Sequence, residues 1–242
     1  MKQVRRTLEK EKASEEKMRT RKQVAGMIDH AVLKPVCTNE DILSACRLVK
    51  AYDVACLCVR PTDVASAKRE LDGSKVKVAA VVGFPHGAHR PEVKALEARL
   101  AIDDGASELD MVMNIGRFLS GEYDFVQRDI AGVVAAAKSR GVIVKVILET
   151  CYLSPEQIVK ACLLAKAAGA QYVKTSTGFA DGAATPEAVT VMVKTVGDCM
   201  GVKASGGIKD LDTLLAYLDQ GCRRVGLSAT QAILESLPEG ED

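Results

Sequence analysis

Residues 142–176 read VIVKVILETCYLSPEQIVKACLLAKAAGAQYVKTS. The stretch opens on a run rich in β-branched residues over 142–149, which fits a strand. Ser154-Pro155-Glu156-Gln157 follows, a capping box with proline at the first helical position. Ile158, Cys162 and Ala165 then share one helical face, and Gly169 suits the left-handed residue that ends a helix. A second apolar run begins at once, over 172–176. Strand, helix and strand in that order make a βαβ unit, whose strands run parallel.

The same punctuation recurs on both sides. Further candidate strands lie at 26–33, 54–59, 76–82, 108–114, 201–204 and 224–227. Thr185-Pro186 opens a helix whose face includes Val189, Met192, Val193 and Val196. Asp210 can cap another, with Leu211, Leu214, Leu215 and Leu218 inside and Gly221 after it. Gly105 and Gly141 end two more. Eight strand–helix units in a chain of 242 residues predict an α/β protein, a (β/α)8 TIM barrel in a single domain over 24–242. A doubly wound open sheet is the alternative, because a strand count does not establish closure. No G-x-G-x-x-G follows the first strand, which removes the usual argument for a dinucleotide.

Residues 1–23 differ in kind. They carry nine basic and four acidic side chains and little apolar content beyond Val4, Leu8 and Met18, so they read as a charged N-terminal extension. The whole chain is 48% hydrophobic and 27% charged, enough for a large core and incompatible with disorder throughout. A formal charge of +1 gives no reason to expect a nucleic-acid partner. No apolar run approaches the roughly 18–20 residues that cross a bilayer, and the charged N-terminus predicts no secretory signal. The expectation is a cytoplasmic protein with no membrane partner. Eight cysteines contain no C-x-x-C pair, and no cysteine lies near His86 or His89 in sequence. Reduced, mostly buried thiols and no metal site are therefore expected.

Charge falls on unexpected strand faces. Side chains alternate along a strand, so Glu108, Asp110, Val112 and Asn114 oppose Leu109, Met111 and Met113. Lys145, Ile147 and Glu149 likewise oppose Val144, Val146 and Leu148. The outer face of a barrel packs on helices and must be apolar, which sends Asp110, Lys145, Lys174 and Lys203 inward. Interiors of such barrels are normally aliphatic, and a buried ammonium needs a partner or a task. One reading is a set of buried salt bridges around Asp110 and Glu149.

The other reading is catalytic. Lys174 and Lys203 stand on consecutive strands, whose neighbours lie ~5 Å apart. Two ammonium groups in a poorly solvated cavity repel, which favours the free amine of one. Bringing a lysine from ~10.4 toward ~7 takes about 4–5 kcal/mol, within reach of burial plus a like charge. A free amine attacks a carbonyl to form a Schiff base, while the second lysine and an aspartate move protons. Gly178 follows Lys174, Ser205-Gly206-Gly207 follows Lys203, and Gly226-Leu227-Ser228 ends the eighth strand. Exposed backbone N–H groups after strands seven and eight are a common phosphate site in these barrels.

Eight segments in one order add a resemblance. They are 28–35 (IDHAVLKP), 58–61 (CVRP), 82–85 (VGFP), 108–114 (ELDMVMN), 145–150 (KVILET), 173–179 (VKTSTGF), 202–207 (VKASGG) and 226–228 (GLS). With these the chain resembles the class I 2-deoxyribose-5-phosphate aldolases across nearly the whole body. The resemblance implies reversible cleavage of 2-deoxy-D-ribose 5-phosphate to D-glyceraldehyde 3-phosphate and acetaldehyde, in deoxyribose phosphate catabolism, by a carbon–carbon lyase without metal or cofactor. It implies Lys174 as the Schiff-base lysine, Lys203 as the partner that depresses its pKa and Asp110 as the proton-relay acid/base. Asp29, Lys145, Cys58 and Thr175 support them, Gly178, Gly206, Gly207 and Ser228 hold phosphate, and the assembly is a homodimer or homotetramer. His30 is expected to be structural.

Another Schiff-base barrel aldolase acting on a related aldehyde is the alternative, and a non-catalytic phosphate-binding barrel a third reading. His86, Arg60, Ala229, Leu227 and Phe179 depart from the family pattern, and none touches the lysines or Asp110. Phe179 stands where some relatives carry lysine. Phosphate recognition is therefore expected to rest largely on neutral donors, with Lys209 the nearest cation in sequence.

Overall fold

The computed structural model describes residues 19–238. Eight parallel strands close in sequence order: β1 (Ile28–Val32), β2 (Cys56–Val59), β3 (Lys77–Val82), β4 (Glu108–Val112), β5 (Ile143–Ile147), β6 (Tyr172–Lys174), β7 (Gly201–Ser205) and β8 (Arg224–Leu227). Pairing of β8 with β1, Asp29 level with Gly226, excludes the open sheet. The helices are α1 (Arg21–Ala25), α2 (Asn39–Ala51), α3 (Val64–Glu70), α4 (Pro91–Asp103), α5 (Ile115–Leu119), α6 (Tyr123–Lys138), α7 (Pro155–Ala167), α8 (Pro186–Val196), α9 (Leu211–Asp219) and α10 (Thr230–Glu235). Among the described residues no helix is long and apolar enough to cross a membrane.

Local chemistry accounts for where these helices start and stop. Ser154 accepts from the Gln157 N–H and Gln157 caps the Ser154 N–H in return, fixing the first turn of α7. Thr185 and Asp210 cap α8 and α9 in the same way, by accepting from Ala188 and Thr213. Gly169 and Gly221 take φ of 86° and 104° just beyond α7 and α9, where a side chain would be strained.

Sequence patterning runs several strands too long at their C-terminal ends. β4 stops at Val112, β5 at Ile147 and β6 at Lys174. Met113 and Leu148 are fully buried, so hydrophobicity alone marks them as strand. Each still gives its N–H to the neighbouring strand, Met113 to the Ile147 carbonyl at 3.1 Å and Leu148 to the Lys174 carbonyl at 2.9 Å, and the backbone turns away one residue later. Asn114 caps α5 by accepting from the Arg117 N–H, and Glu149 adopts a left-handed φ of 54°.

The core lies between barrel and helices. Leu109, Met111, Val144, Val146, Val173 and Val202 point outward into it, and all are buried. A smaller cluster of Cys56, Cys58, Ala79 and Val81 fills one side of the interior, with Leu33 and Phe84 against it. All eight cysteines are free. Fully buried Lys94 donates to Asp129 Oδ2 at 2.6 Å and to the Val112 carbonyl at 2.9 Å, tying α4 and α6 to the end of β4.

Residues 1–18 of the charged extension lie outside the described residues. Residues 19–23 are built into the barrel. Thr20 and Gln23 form a capping box on α1, Arg19 pairs with Asp219 at 2.9 Å, and Arg21 donates to the Leu237 carbonyl at 2.8 Å.

Candidate active site

Register brings the inward charges level with one another. Asp110 is the partner of Lys145 across β4–β5, and Lys174 the partner of Lys203 across β6–β7. All four are at most 3% exposed. Asp110 is their hub: Oδ1 accepts from Lys145 at 2.8 Å, and Oδ2 accepts from both Lys174 and Lys203 at 2.8 Å. Asp29, from β1, accepts from Lys203 and Arg224 and lies 3.1 Å from Lys145 Nζ. Glu108 accepts from Arg224 at 2.6 Å and stands 2.6 Å from Lys145. Gly226 lets this happen, because a Cβ there would come within 2.9 Å of Lys203 Cε.

The network fixes charge states. Burial pushes the Asp110 carboxyl up, but Lys145, Lys174 and Lys203 outweigh burial and hold it well below its ordinary value. Asp29 is also lowered, because Lys145, Lys203 and Arg224 together outweigh its burial. Burial pulls Lys203 and Lys145 down, and their carboxylates more than restore them, so both end above an ordinary lysine. Both keep their protons. The salt-bridge reading and the catalytic reading thus describe one set of contacts. Glu149 is the exception: it takes no lysine, and instead accepts from the Thr177 N–H at 3.0 Å and the Thr177 hydroxyl at 2.5 Å.

Asp29, Glu108 and Cys56 lie close enough together to suggest a cation site. Each carboxylate already faces Lys145 and Arg224, and burial pushes the Cys56 thiol well above its ordinary range. A neutral thiol and two neutralised carboxylates make a poor donor set.

A cavity of 290 Å³ opens beside the two lysines, at the low end of the ~300–1,000 Å³ of small-molecule sites. Lys174, Lys203 and Cys58 line its inner part. The Cys58 thiol, pushed by burial to about 11, donates to Asp110 Oδ2 at 3.9 Å. Gly178, Gly206, Gly207 and Ser228 line the rest together with Phe179, so all four residues expected at phosphate come together. Gly206 and Gly207 take φ of 89° and 75° in succession, a backbone available to glycine.

Thr175 sits elsewhere. It is fully buried, donates to the Ser205 carbonyl at 3.1 Å and accepts from the Ser205 N–H at 3.0 Å, stapling β6 to β7. Asp110, Asp29 and Lys145 all stand outside the cavity lining, and Asp110 meets it through Lys174 and Lys203. His30 is buried and hydrogen-bonded through Nδ1 to Thr230 at 2.8 Å, and burial lowers it to about 4.

Sequence reasoning missed three participants. Arg224 and Glu108 complete the ion network. Their signal was alternation, since Glu108 shares a face with Asp110 and Arg224 with Gly226. Lys34 lines the cavity, whereas Lys209, the nearest cation in sequence to the residues expected at phosphate, does not. Lys34 follows β1 by two residues, beyond the reach of any strand-face argument.

Residues 23–232 match the family model described as "DeoC/LacD family aldolase". A deoxyribose-phosphate aldolase of Thermococcus gammatolerans is 51% identical over 90% of this chain and 98% of its own. One from Methanothermobacter thermautotrophicus is 52% identical over 89% and 96%. The solved structure of deoxyribose phosphate aldolase from Aeropyrum pernix, described as a unique tetramer, superposes with a TM-score of 0.84 at 33% identity, over 90% of this chain and 92% of that one.

Proposed function

The chain belongs to the DeoC/LacD family of aldolases, and from that premise we propose that it reversibly cleaves 2-deoxy-D-ribose 5-phosphate to D-glyceraldehyde 3-phosphate and acetaldehyde, with Lys174 as the Schiff-base amine. One observation carries the reading: Lys174 and Lys203, which line the cavity, donate to the same oxygen of Asp110, which lies buried just outside its lining. Lys203 is held by two carboxylates and Lys145 by three. Among the described residues Lys174 has only one, and of the three lysines it loses least on leaving its partner. Three carboxylates, Asp29, Glu108 and Asp110, face Lys145, Lys203 and Arg224, so the charges of the network pair off without Lys174.

The chemistry follows from those positions. Lys174 Nζ attacks the C1 aldehyde, water leaves, and a protonated imine forms. Asp110, backed by Lys203, takes the C3 hydroxyl proton. The C3 carbonyl forms as the C2–C3 bond breaks, and the released electron pair becomes the C1–C2 double bond of an enamine while the imine nitrogen is neutralised. The proton then returns to C2, and water hydrolyses the imine to acetaldehyde and free Lys174. The surrounding cations make Asp110 a weak base, so it holds the transferred proton only briefly. That suits a shuttle.

Gly178, Gly206, Gly207 and Ser228 offer backbone N–H groups and a hydroxyl to the phosphate. Self-association as a homodimer or homotetramer is supported by exposed Val93, Leu96 and Leu100 along α4 and Val159 and Leu163 along α7.

Borohydride trapping with acetaldehyde, followed by peptide mapping, tests the assignment. Label is expected on Lys174, and Lys174→Leu should lose both label and turnover with the fold intact. Label on Lys203 or Lys145 would overturn the roles.

A further inference from the structure

Two cations meet at the loop after β1, one lining the cavity and one holding the loop's backbone, and the structure gives them different work. Lys34, in the loop after β1, is exposed and lines the cavity with Gly206, Gly207 and Ser228. Its ammonium has no hydrogen-bond or ion-pair partner among the described residues. Arg60, at the end of β2, is fully engaged. Its Nε donates to Asp63 at 2.6 Å, Nη1 to the carbonyls of Lys34 and Pro35 at 3.3 Å each, and Nη2 to the Cys37 carbonyl at 3.0 Å. A turn closed from the Cys37 N–H to the Lys34 carbonyl at 3.1 Å completes the loop.

The planar guanidinium fork matches several fixed acceptors at once, which a lysine at the same place does not. Asp63 neutralises it. Arg60 is thus spent on the backbone that carries Lys34, while Lys34 is left uncompensated beside the loops that present neutral donors. Phe179 supplies no charge to that cavity and Lys209 does not reach its lining.

We propose that Lys34 is the cation that contacts the phosphate of the substrate, and that Arg60 is a positioning residue that holds the Lys34 loop against the cavity. The inference rests on the reading of this cavity as the sugar-phosphate site. The phosphate then takes neutral hydrogen bonds from the Gly206–Gly207 and Ser228 loops and a charge-assisted one from Lys34, the stronger kind. Lys34 does the work that a lysine at position 179 would do.

The test compares the full-length enzyme with Lys34→Met, Lys34→Arg, Arg60→Met, Arg60→Lys and the Lys34→Met/Arg60→Met double variant. Each is assayed on deoxyribose 5-phosphate and on deoxyribose, at low and high salt, with inorganic phosphate as competitor. Lys34→Met should raise KM for the phosphorylated sugar about ten- to hundredfold with kcat little changed. The free sugar should shift a few-fold at most. Inhibition by inorganic phosphate should weaken and the salt dependence flatten, and Lys34→Arg should restore most of both.

Arg60→Met should raise the same KM by a smaller factor, and Arg60→Lys should not rescue it, because the fork and not the charge is needed. In the Lys34→Met background, Arg60→Met should add nothing to phosphate discrimination. Equal losses on the two sugars for Lys34→Met would overturn the contact, and equal Arg60 penalties in both backgrounds would overturn the positioning. A native enzyme that turns over neither sugar would sink the reaction and phosphate readings themselves, whatever Lys34 does.

Discussion

Gly226 decides where Lys203 can hold its ammonium. Its φ lies outside the left-handed region, so alanine is allowed by the backbone and opposed only by space. The added methyl meets Lys203 Cε at 2.9 Å and Ser205 Cβ at 3.0 Å, and the lysine must move away from Asp29 and Asp110. Misplacing a reacting group by about 1 Å costs on the order of 10²-fold in rate. Gly226→Ala should therefore lower kcat by that order, with a stability loss of about 1–3 kcal/mol from overpacking. Steady-state kinetics and urea unfolding measure the two, and a native kcat would mean that the position of Lys203 is not critical. Asp110→Asn acts at the same scale. It leaves buried ammonium groups facing an amide, a change that costs about 3–5 kcal/mol in stability. Imine trapping should survive it better than turnover, because only the second needs the carboxylate as a proton acceptor. Near-native turnover in a folded Asp110→Asn enzyme would end the shuttle argument.

At the scale of elements, α7 shows how directly a short motif becomes structure. The capping box at Ser154 and Gln157 was readable from four residues, and it forms with the expected reciprocal bonds. Ser154→Ala should remove about 1 kcal/mol of stability and leave kcat unchanged, since Ser154 does not line the cavity. A denaturation midpoint unaltered by the substitution would show that the cap is redundant. The same legibility holds for strand faces: alternation alone sends Asp110, Lys145, Lys174 and Lys203 to one interior. It fails where strands end. Glu149 continues an apolar run in sequence, yet it leaves the ladder in a left-handed turn to clasp Thr177, whose hydroxyl in turn accepts from the Phe179 N–H at 3.0 Å. Nothing periodic announces that clasp. Lys34 was hidden for the same reason, because its position depends on three carbonyls meeting an arginine from the next strand.

At the scale of the whole molecule, closure of the barrel is titratable. His30 leaves β1 on the face opposite Asp29 and bonds Thr230 of α10, beside the β1–β8 seam where Asp29 is level with Gly226 and His30 with Leu227. Burial alone lowers its pKa from 6.5 to about 4. The unfolded chain therefore takes up a proton that the folded barrel refuses. The stability from neutral burial is complete above pH 6.5 and is lost as pH falls toward 4. The shift corresponds to about 2 kcal/mol between pH 7 and pH 5 and about 3 kcal/mol by pH 4. Asp29 and Asp110 act in a different window. Their folded values are depressed, so their contribution is present above the ordinary carboxylate range and is lost only below about pH 4. Between pH 7 and 5 the histidine can thus be read separately. Urea unfolding at those two pH values should show native stability falling by about 2 kcal/mol, and His30→Gln, less stable at pH 7, should lose much less over the same interval. If His30→Gln declines as steeply as the native chain, the acid sensitivity lies in other groups and the seam is not its source.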